Sequence, residues 1–176
     1  MSSTSLFPSR LGAGFGLLKP QLQWVHGGES RDLRGSVTVE RGTSLIAKVL
    51  GRLTSLPPTL NDAAIQVRID VDDQKERWVR TYAGQHRMAS VLFKHGDCLV
   101  EQLGLASFAF RLIARDAGID WRLEQVSLAG IPLPVSWFSI SARIDLQGDR
   151  YHFSIDSAVR GVGRIVRYEG LLDAKP

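Results

Sequence analysis

The chain has 176 residues, a formal net charge of +4 and 44% hydrophobic residues, which fits one globular domain with its own core. Its single cysteine, Cys98, excludes an intrachain disulfide scaffold, and no apolar run is long enough for a membrane-spanning helix. The basic residues are mostly arginines spaced singly along the chain, whereas a nucleic-acid-binding protein clusters them on one face. This spacing predicts a protein that does not bind nucleic acid. Because the N-terminus lacks the basic start of a secretory signal, we also expect a soluble cytoplasmic protein.

The N-terminal segment predicts short helices separated by loops. Residues 1–5 form a polar tail, after which Ser5 caps a short helix with Pro8 in its first turn. The glycine-rich residues 12–16 predict a flexible link and not a dinucleotide-binding motif, because no strand precedes them. Residues 18–25 predict one or two helical turns, and the polar residues 29–33 predict a loop.

One strand and one clear helix follow. Alternating valines predict a first strand from Gly35 to Arg41. Thr43 or Ser44 then caps an amphipathic helix over residues 44–53, which two prolines terminate. The helix carries two basic residues off its apolar stripe. The stripe consists of Leu45, Ile46, Val49, Leu50 and Leu53.

Residues 64–128 predict an antiparallel meander. Five strand signals with period-2 alternation follow one another, and the breaks between them are short and rich in Gly and Asp. The signals begin at Ile65, Arg77, Arg87, Cys98 and Ser107, and the pattern continues through Trp121. The breaks lie at residues 72–75, 83–85, 95–97 and 116–118.

The proline loop, residues 130–134, interrupts this pattern. Its two prolines at alternate positions cannot both lie in a central ladder, so we expect an extended loop or a sheet edge. Three further strands are predicted over residues 139–146, 151–159 and 163–172, which gives nine strands in a single β-rich domain over residues 6–173, followed by a short tail, residues 174–176.

A mainly β fold follows from this count. A single long antiparallel sheet must curl to bury its apolar face and to hide its edges. We therefore expect a barrel or half-barrel, with the helix of residues 44–53 across its mouth or its open side. A two-sheet β-sandwich is the alternative.

Two charged residues lie among apolar neighbours on the predicted strands. Arg80 shares a face with Trp78 and Tyr82, and Glu101 lies between Leu99 and Leu103. Either the two charges form a pair inside a cavity and anchor a ligand head group, or both lie at strand ends and extend into water; the rule that unpaired charges stay exposed favours the second interpretation.

A set of mostly aromatic residues would line the interior if the sheet closes around a ligand. The alternative for most of them is plain core, and Trp137 with Phe138 would cap an opening, form an interface or belong to the core. The candidate ligand-binding residues are Trp78, Arg80, Tyr82, Glu101, Phe108, Phe110, Trp121, Trp137, Phe153 and Tyr168.

The sequence carries no motif for a catalytic, metal or cofactor site. The four histidines lack metal-ligand spacing, and no Gly-x-Ser-x-Gly elbow is present. We expect Cys98 to be a small buried residue and His152 to face solvent beside inward-facing Tyr151 and Phe153. If there is an enzyme here, the acids we would nominate are Glu101, Asp145 and Glu169.

Several short elements occur in an order that resembles one bacterial family, the domains of unknown function numbered 4166. They are His26-Gly27, Leu56-Pro57-Pro58, Trp78-Val79-Arg80, the proline loop and Tyr168-Glu169-Gly170. The resemblance covers residues 6–173 and implies a domain that stands alone or follows a saccharopine-dehydrogenase-like domain. It implies no activity.

Two functions are compatible with these features. The first is a lipocalin-like binding module that holds a small apolar or amphipathic ligand inside the curved sheet. The second is an accessory domain that docks on a dehydrogenase-like partner through the proline loop and Trp137-Phe138. We expect no cofactor and no metal in either case.

Overall fold

The computed structural model of the protein describes residues 5–72, 74–115 and 118–175. The described strands are β1 (Arg31–Arg41), β2 (Leu60–Val71), β3 (Lys75–Tyr82), β4 (His86–His95), β5 (Cys98–Leu103), β6 (Ala106–Arg115), β7 (Gly118–Leu128), β8 (Ile131–Leu133), β9 (Phe138–Gln147), β10 (Arg150–Val159) and β11 (Gly163–Leu172). They form one antiparallel sheet in which ten strands close into a barrel, because each neighbour pairs along the order β1 to β7, β9, β10 and β11, and β11 pairs back to β1. The short β8 is the remaining strand and pairs with β7.

The predicted mainly β barrel is confirmed, and the sandwich alternative is wrong. There are eleven described strands and not nine, since β7 is a strand of its own and the proline loop contributes β8 at the edge of the sheet. The predicted loop over residues 29–33 is wrong from Arg31 onwards. Leu33 pairs with Val67 and is 1% exposed, because it belongs to the inward face of β1. The predicted breaks at Asp73 and at residues 116–117 lie outside the described residues.

The N-terminal helices close one end of the barrel. They are α1 (Leu6–Leu11), a 3-10 helix (Gly12–Leu17) and α2 (Pro20–His26), and we call residues 5–26 the plug. The flexible link predicted for residues 12–16 is wrong, since this segment is helical. Gly14 allows that helix to approach β6, because a Cβ there would lie 2.9 Å from the Ala114 side chain. Ser5 is the N-cap residue of α1 and not part of a tail, while residues 1–4 lie outside the described chain.

The plug is held by large apolar side chains. Phe7 and Leu22 are fully buried, and Val25 is nearly so. All three belong to the same core cluster as the inward-facing residues of the strands. This end of the barrel is therefore packed shut.

The third helix, α3 (Leu45–Leu53), lies in the connection between β1 and β2. The hydroxyl of Ser44 caps it by accepting a hydrogen bond from the Ala47 N–H at 3.2 Å. The buried residues of α3 are the small Ala47 and Gly51. Consequently most of its apolar stripe faces away from the barrel, and Leu45 is 79% exposed.

Arg41 ties the connection after α3 to the barrel. Its Nη1 donates to the carbonyls of Leu56 and Pro57, both at 3.0 Å. Its guanidinium lies so close to Gly51 that a Cβ at that position would overlap it. The glycine is thus required for this approach of helix and arginine.

The connections of an antiparallel barrel alternate between its two ends. The α3 end carries the connections β1–β2, β3–β4, β5–β6, β7–β9 and β10–β11, whereas the plug end carries the remaining turns and the C-terminus. The chain after β11 stays on the barrel as far as the structure describes it. The N–H of Asp173 donates to the Arg34 carbonyl at 2.8 Å, and Ala174 is 3% exposed. Pro176 lies outside the described residues.

Candidate functional site

An ion pair lies inside the barrel. Period-2 alternation turns Trp78 and Arg80 of β3 inward, and Arg80 Nη2 donates to Glu101 Oε1 of β5 at 3.1 Å. The Arg80 and Glu101 side chains are 13% and 20% exposed. The interpretation that both extend into water at strand ends is therefore wrong, and the paired arrangement is the one the chain adopts.

The ion pair between Arg80 and Glu101 reaches across one intervening strand. β4 lies between β3 and β5, so the two backbones are about 10 Å apart and only two long side chains can meet. Ser90 occupies the intervening inward position on β4, opposite Trp78. Its small side chain leaves room for the guanidinium, and its hydroxyl accepts a hydrogen bond from Arg80 Nη1 at 2.9 Å.

The surroundings keep the arginine charged. Burial acts to lower the pKa of Arg80, but the charge of Glu101 and contributions from Tyr168 and Tyr82 outweigh it, so the pKa is raised above its ordinary value. The guanidinium also lies 5.4 Å from the Trp78 ring centre, within cation–π range. Burial raises the pKa of Tyr168 to about 12, so this residue is a neutral phenol near neutral pH.

Apolar cavities lie on both sides of the pair. The larger has a volume of about 250 Å³ and extends from the pair to α3, where Leu50 and Thr54 line it. The smaller has a volume of about 100 Å³ and extends towards the plug. Glu101, Phe110 and Tyr168 line both cavities. The polar group thus stands at the boundary between two apolar spaces.

Nine of the ten candidate ligand-binding residues line one cavity or both. Those at the smaller cavity include Trp78, Trp121 and Phe153, and those at the larger include Phe108 and Trp137. The tenth candidate, Tyr82, lines neither cavity. It is fully buried, so it belongs to the core, which was the alternative for these aromatic residues.

Buried polar groups lie beside the smaller cavity, where the plug meets the barrel. His26 Nε2 lies 3.1 Å from the Tyr151 hydroxyl, and burial lowers the pKa of His26 to about 3. Trp78 Nε1 donates to Glu76 Oε2 at 3.0 Å. Burial, opposed by this hydrogen bond, raises the pKa of Glu76 to about 7. Both ionisable groups are therefore neutral over much of the mildly acidic range.

The wall of the barrel opens along one seam. β7 pairs with β9 between Gly118 and Trp121, and its later residues pair with β8 instead. A groove follows the separation, and Ile140 lines both this groove and the two cavities. The interior can therefore be approached from the α3 end and from this side.

The remaining nominated acids lie elsewhere. Asp145 and Glu169 are on the outer face, where His152 Nδ1 lies 2.6 Å from Asp145 Oδ1 and His152 Nε2 lies 3.0 Å from Glu169 Oε1. These acids do not share a cleft with Glu101. His152 points outward as predicted, but the carboxylates cover it and leave it 8% exposed. Cys98 is half-buried and not fully buried.

The sequence analysis did not predict two polar residues of the interior, Ser90 and Glu76. Ser90 lies between inward-facing Met88 and Leu92, and Glu76 lies two residues before Trp78. Each occupies an inward position by alternation, which is the same signal that identified Arg80. Among the described residues, no group of acids, histidines and Cys98 is placed to hold a metal ion.

Comparisons with known proteins place the whole barrel in one family. A family model described as "Domain of unknown function (DUF4166)" matches residues 18–172. No curated protein matches the chain. None of the described helices combines the length and the apolar character needed to cross a bilayer.

Proposed function

The chain belongs to the DUF4166 family of domains of unknown function, and we propose that it is a cytoplasmic binding module that holds a small amphipathic molecule inside its barrel. The apolar part of the ligand would occupy the larger cavity, and its polar head would meet Arg80 and Glu101. The observation that carries this proposal is the ion pair at the boundary between two apolar cavities.

The pair favours an uncharged head group. Arg80 and Glu101 neutralise each other, so a ligand carboxylate would be repelled by Glu101 and a ligand ammonium by Arg80. A hydroxyl or an amide both donates and accepts hydrogen bonds, and such a group can contact the guanidinium and the carboxylate together. The head group is therefore expected to be an alcohol or an amide.

The cavity volume suits a small apolar body. An apolar cavity of about 150 Å³ in a protein core stays dry and takes up benzene, and the larger cavity here has a volume of about 250 Å³. Leu103, Phe108 and Val126 are among the residues that line it. Burying apolar ligand surface there contributes about 25 cal/mol per Å².

The first experiment is native mass spectrometry of protein purified gently from cells. The proposal expects a discrete extra mass that is lost on denaturation and can be identified after extraction. The purified apoprotein is then titrated with 1-decanol, decane and decanoate, and tryptophan fluorescence is followed, since three of the four tryptophans line the cavities. Decanol is expected to bind most tightly. Absence of binding by all three compounds would contradict the proposal.

A double variant and a matched control test the contact between the ion pair and the ligand head group. The double variant Arg80→Met/Glu101→Leu keeps the interior apolar and is expected to lose about tenfold of the preference for decanol over decane, since hydrogen bonds to charged groups contribute about 1.5–3 kcal/mol. The matched control is Arg115→Met, which breaks an ion pair with Asp120 on the outer face. An unchanged preference in the double variant would show that the pair does not contact the ligand.

A second candidate function is an accessory domain for a dehydrogenase-like partner. The observation that favours it is the exposure of Ile131 (65%) and Trp137 (50%) around the proline loop, where β8 is the edge strand. Trp137→Ala is expected to abolish capture of such a partner in a pull-down, and Leu17→Ala at the plug end is the control. Equal capture by both variants would count against this candidate.

A further inference from the structure

The α3 end of the barrel is surrounded by exposed apolar side chains. We call this set the mouth rim, and each of its members is at least 41% exposed. Single exposed apolar residues are common, but a contiguous group of this size marks an interaction surface. The mouth rim consists of Leu45, Ile46, Val49, Leu53, Leu105, Ile131 and Trp137.

These residues are neighbours around the larger cavity. Gly104 lies against the Leu53 carbonyl, where a Cβ would meet that oxygen, so Leu105 follows directly beside α3. The Leu105 carbonyl accepts a hydrogen bond from the Ala129 N–H at 2.8 Å, which joins it to the hairpin that carries Ile131. Trp137 and Leu50 both line the larger cavity. The mouth rim is therefore continuous with the cavity lining.

The two ends differ in net charge. The five connections at the α3 end contain three cations, Lys48, Arg52 and Arg160, and no aspartate or glutamate. At the plug end, the described residues outside the strands include five acids and three cations, Arg10, Lys19 and Lys175. The acids are Glu29, Asp72, Asp97, Asp149 and Asp173. The apolar end is thus also the end that a negatively charged surface would attract.

The arrangement on α3 matches an interfacial helix. At 100° per residue, the exposed Leu45, Ile46, Val49 and Leu53 form one arc, and Lys48 and Arg52 lie along one flank of it. Small residues hold the opposite face against the barrel. An apolar stripe with flanking cations is the pattern of helices that lie in the headgroup region of a bilayer.

We propose that the α3 end docks on an anionic lipid bilayer, with α3 in the headgroup region and the larger cavity open towards the acyl chains. A second copy of the chain is a poor occupant, because its own α3 end would bring three like charges against three. The docking extends the proposed function by naming the surface from which the ligand enters, but it is measured without any ligand.

The test is co-sedimentation with two kinds of vesicle. One contains phosphatidylcholine alone, and the other contains three parts phosphatidylcholine to one part phosphatidylglycerol. Binding is expected to the anionic vesicles, weakening as salt rises, because surface attraction is screened beyond the Debye length. Lys48→Glu/Arg52→Glu is expected to weaken it at least about tenfold, since each basic residue near such a surface contributes about 1 kcal/mol. Ile46→Ser/Val49→Ser is expected to weaken it by a similar factor.

Matched controls come from the plug end. Lys19→Glu changes an exposed lysine, and Leu17→Ser changes a leucine that is 79% exposed. Both are expected to bind vesicles as the unaltered protein does. Absence of co-sedimentation with anionic vesicles, or equal weakening by the variants of both ends, would overturn the proposal.

A second readout locates the contact and separates it from ligand binding. Vesicles with brominated acyl chains are expected to quench tryptophan fluorescence, and Trp137→Phe is expected to remove most of the quenching. Arg80→Met/Glu101→Leu, whose changes lie inside the barrel, is expected to bind vesicles unchanged. Protein that carries a ligand in native mass spectrometry but does not bind vesicles would overturn the docking and leave the proposed function standing.

Discussion

The plug and α3 cover opposite ends of the barrel. The plug turns its large apolar side chains towards the interior, whereas α3 turns most of its own away from it. The plug inserts Phe7 and Leu22 into the interior, and both are fully buried. α3 instead packs through Ala47 and Gly51 and leaves its larger apolar side chains outside. Apolar burial is the main source of stability, so the plug end is the one that stabilises the fold. Movement of the α3 end would cost little of the stabilisation that comes from apolar burial, so this end is suited to be the entrance to the interior.

The largest expected effect comes from removing the plug's central ring. Phe7 lies 3.9 Å from the His26 ring centre and also contacts the rings of Trp78 and Trp121. Phe7→Ala is expected to lower the free energy of unfolding by about 3–5 kcal/mol, as for other fully buried phenylalanines. Urea denaturation measures it, with the exposed Leu17→Ala as the control within about 0.5 kcal/mol. A loss below about 1 kcal/mol would show that the plug does not stabilise the barrel.

The next effect concerns the boundary between the two ends. Arg80→Met leaves Glu101 inside the barrel without its partner and is expected to cost about 3 kcal/mol, the lower limit for a broken buried pair, because both side chains keep some exposure. The double variant Arg80→Met/Glu101→Leu is expected to recover most of this loss. If the double variant is no more stable than Arg80→Met, the stability lost in Arg80→Met does not arise from leaving Glu101 without its partner.

These features differ in how far the sequence predicts them. Period-2 alternation identified the inward position of Arg80 because it is a local property of β3. The pair with Glu101 depends on Ser90 being small on the strand between them, and the rule that charges stay exposed outweighed that signal. Closure of the barrel is a contact between its first strand, β1, and its last strand, β11. The register of this contact is not a local property of the sequence.

The helices also show that a local sequence pattern does not determine how an element packs. The stripe of α3 was predicted correctly as a stripe, but amphipathic patterns alone place the apolar face inward. The small pair Ala47 and Gly51, spaced by four residues, was the signal that the other face packs against the barrel. For the plug, Gly14 and its neighbours suggested flexibility, since glycine favours it in isolation. Packing against β6 overrode that preference.

Stability of the plug end should depend on pH in two opposing ways. The folded-state pKa of Glu76 is about 7, above its ordinary 4.5, so its contribution is complete below pH 4.5 and is lost as pH rises through 7. The folded-state pKa of His26 is about 3, below its ordinary 6.5. Its contribution is complete above pH 6.5 and is lost as pH falls through 3. Between pH 4.5 and 6.5 the two slopes oppose each other.

Single variants separate the two slopes. With Glu76→Gln, the difference in unfolding free energy between the unaltered protein and the variant is expected to fall by about 1 kcal/mol per pH unit between pH 4.5 and 7. With His26→Asn, the corresponding difference is expected to rise with pH from 3 to 6.5. Urea denaturation across this range measures both. Differences that do not change with pH would show that neither group titrates as the buried geometry requires.

The smallest expected effect is at the α3 end and tests whether that end moves on its own. In Gly51→Ala, the new Cβ overlaps the Arg41 guanidinium, which must leave the Leu56 and Pro57 carbonyls to which it donates. Overpacking costs about 1–3 kcal/mol, but alanine regains about 1 kcal/mol of helix propensity. The net global loss is therefore expected to be about 1 kcal/mol.

Hydrogen exchange shows where this loss is located. Amides of α3 in Gly51→Ala are expected to exchange faster, while amides of α2 in the plug exchange as before, because α3 packs against β11 whereas α2 packs against α1 and β10. Gly16→Ala is the matched control, since nothing lies within 4 Å of a Cβ there. Faster exchange in both helices would mean that the ends are coupled, and α3 would then be a structural cover of the barrel and not an independently moving entrance.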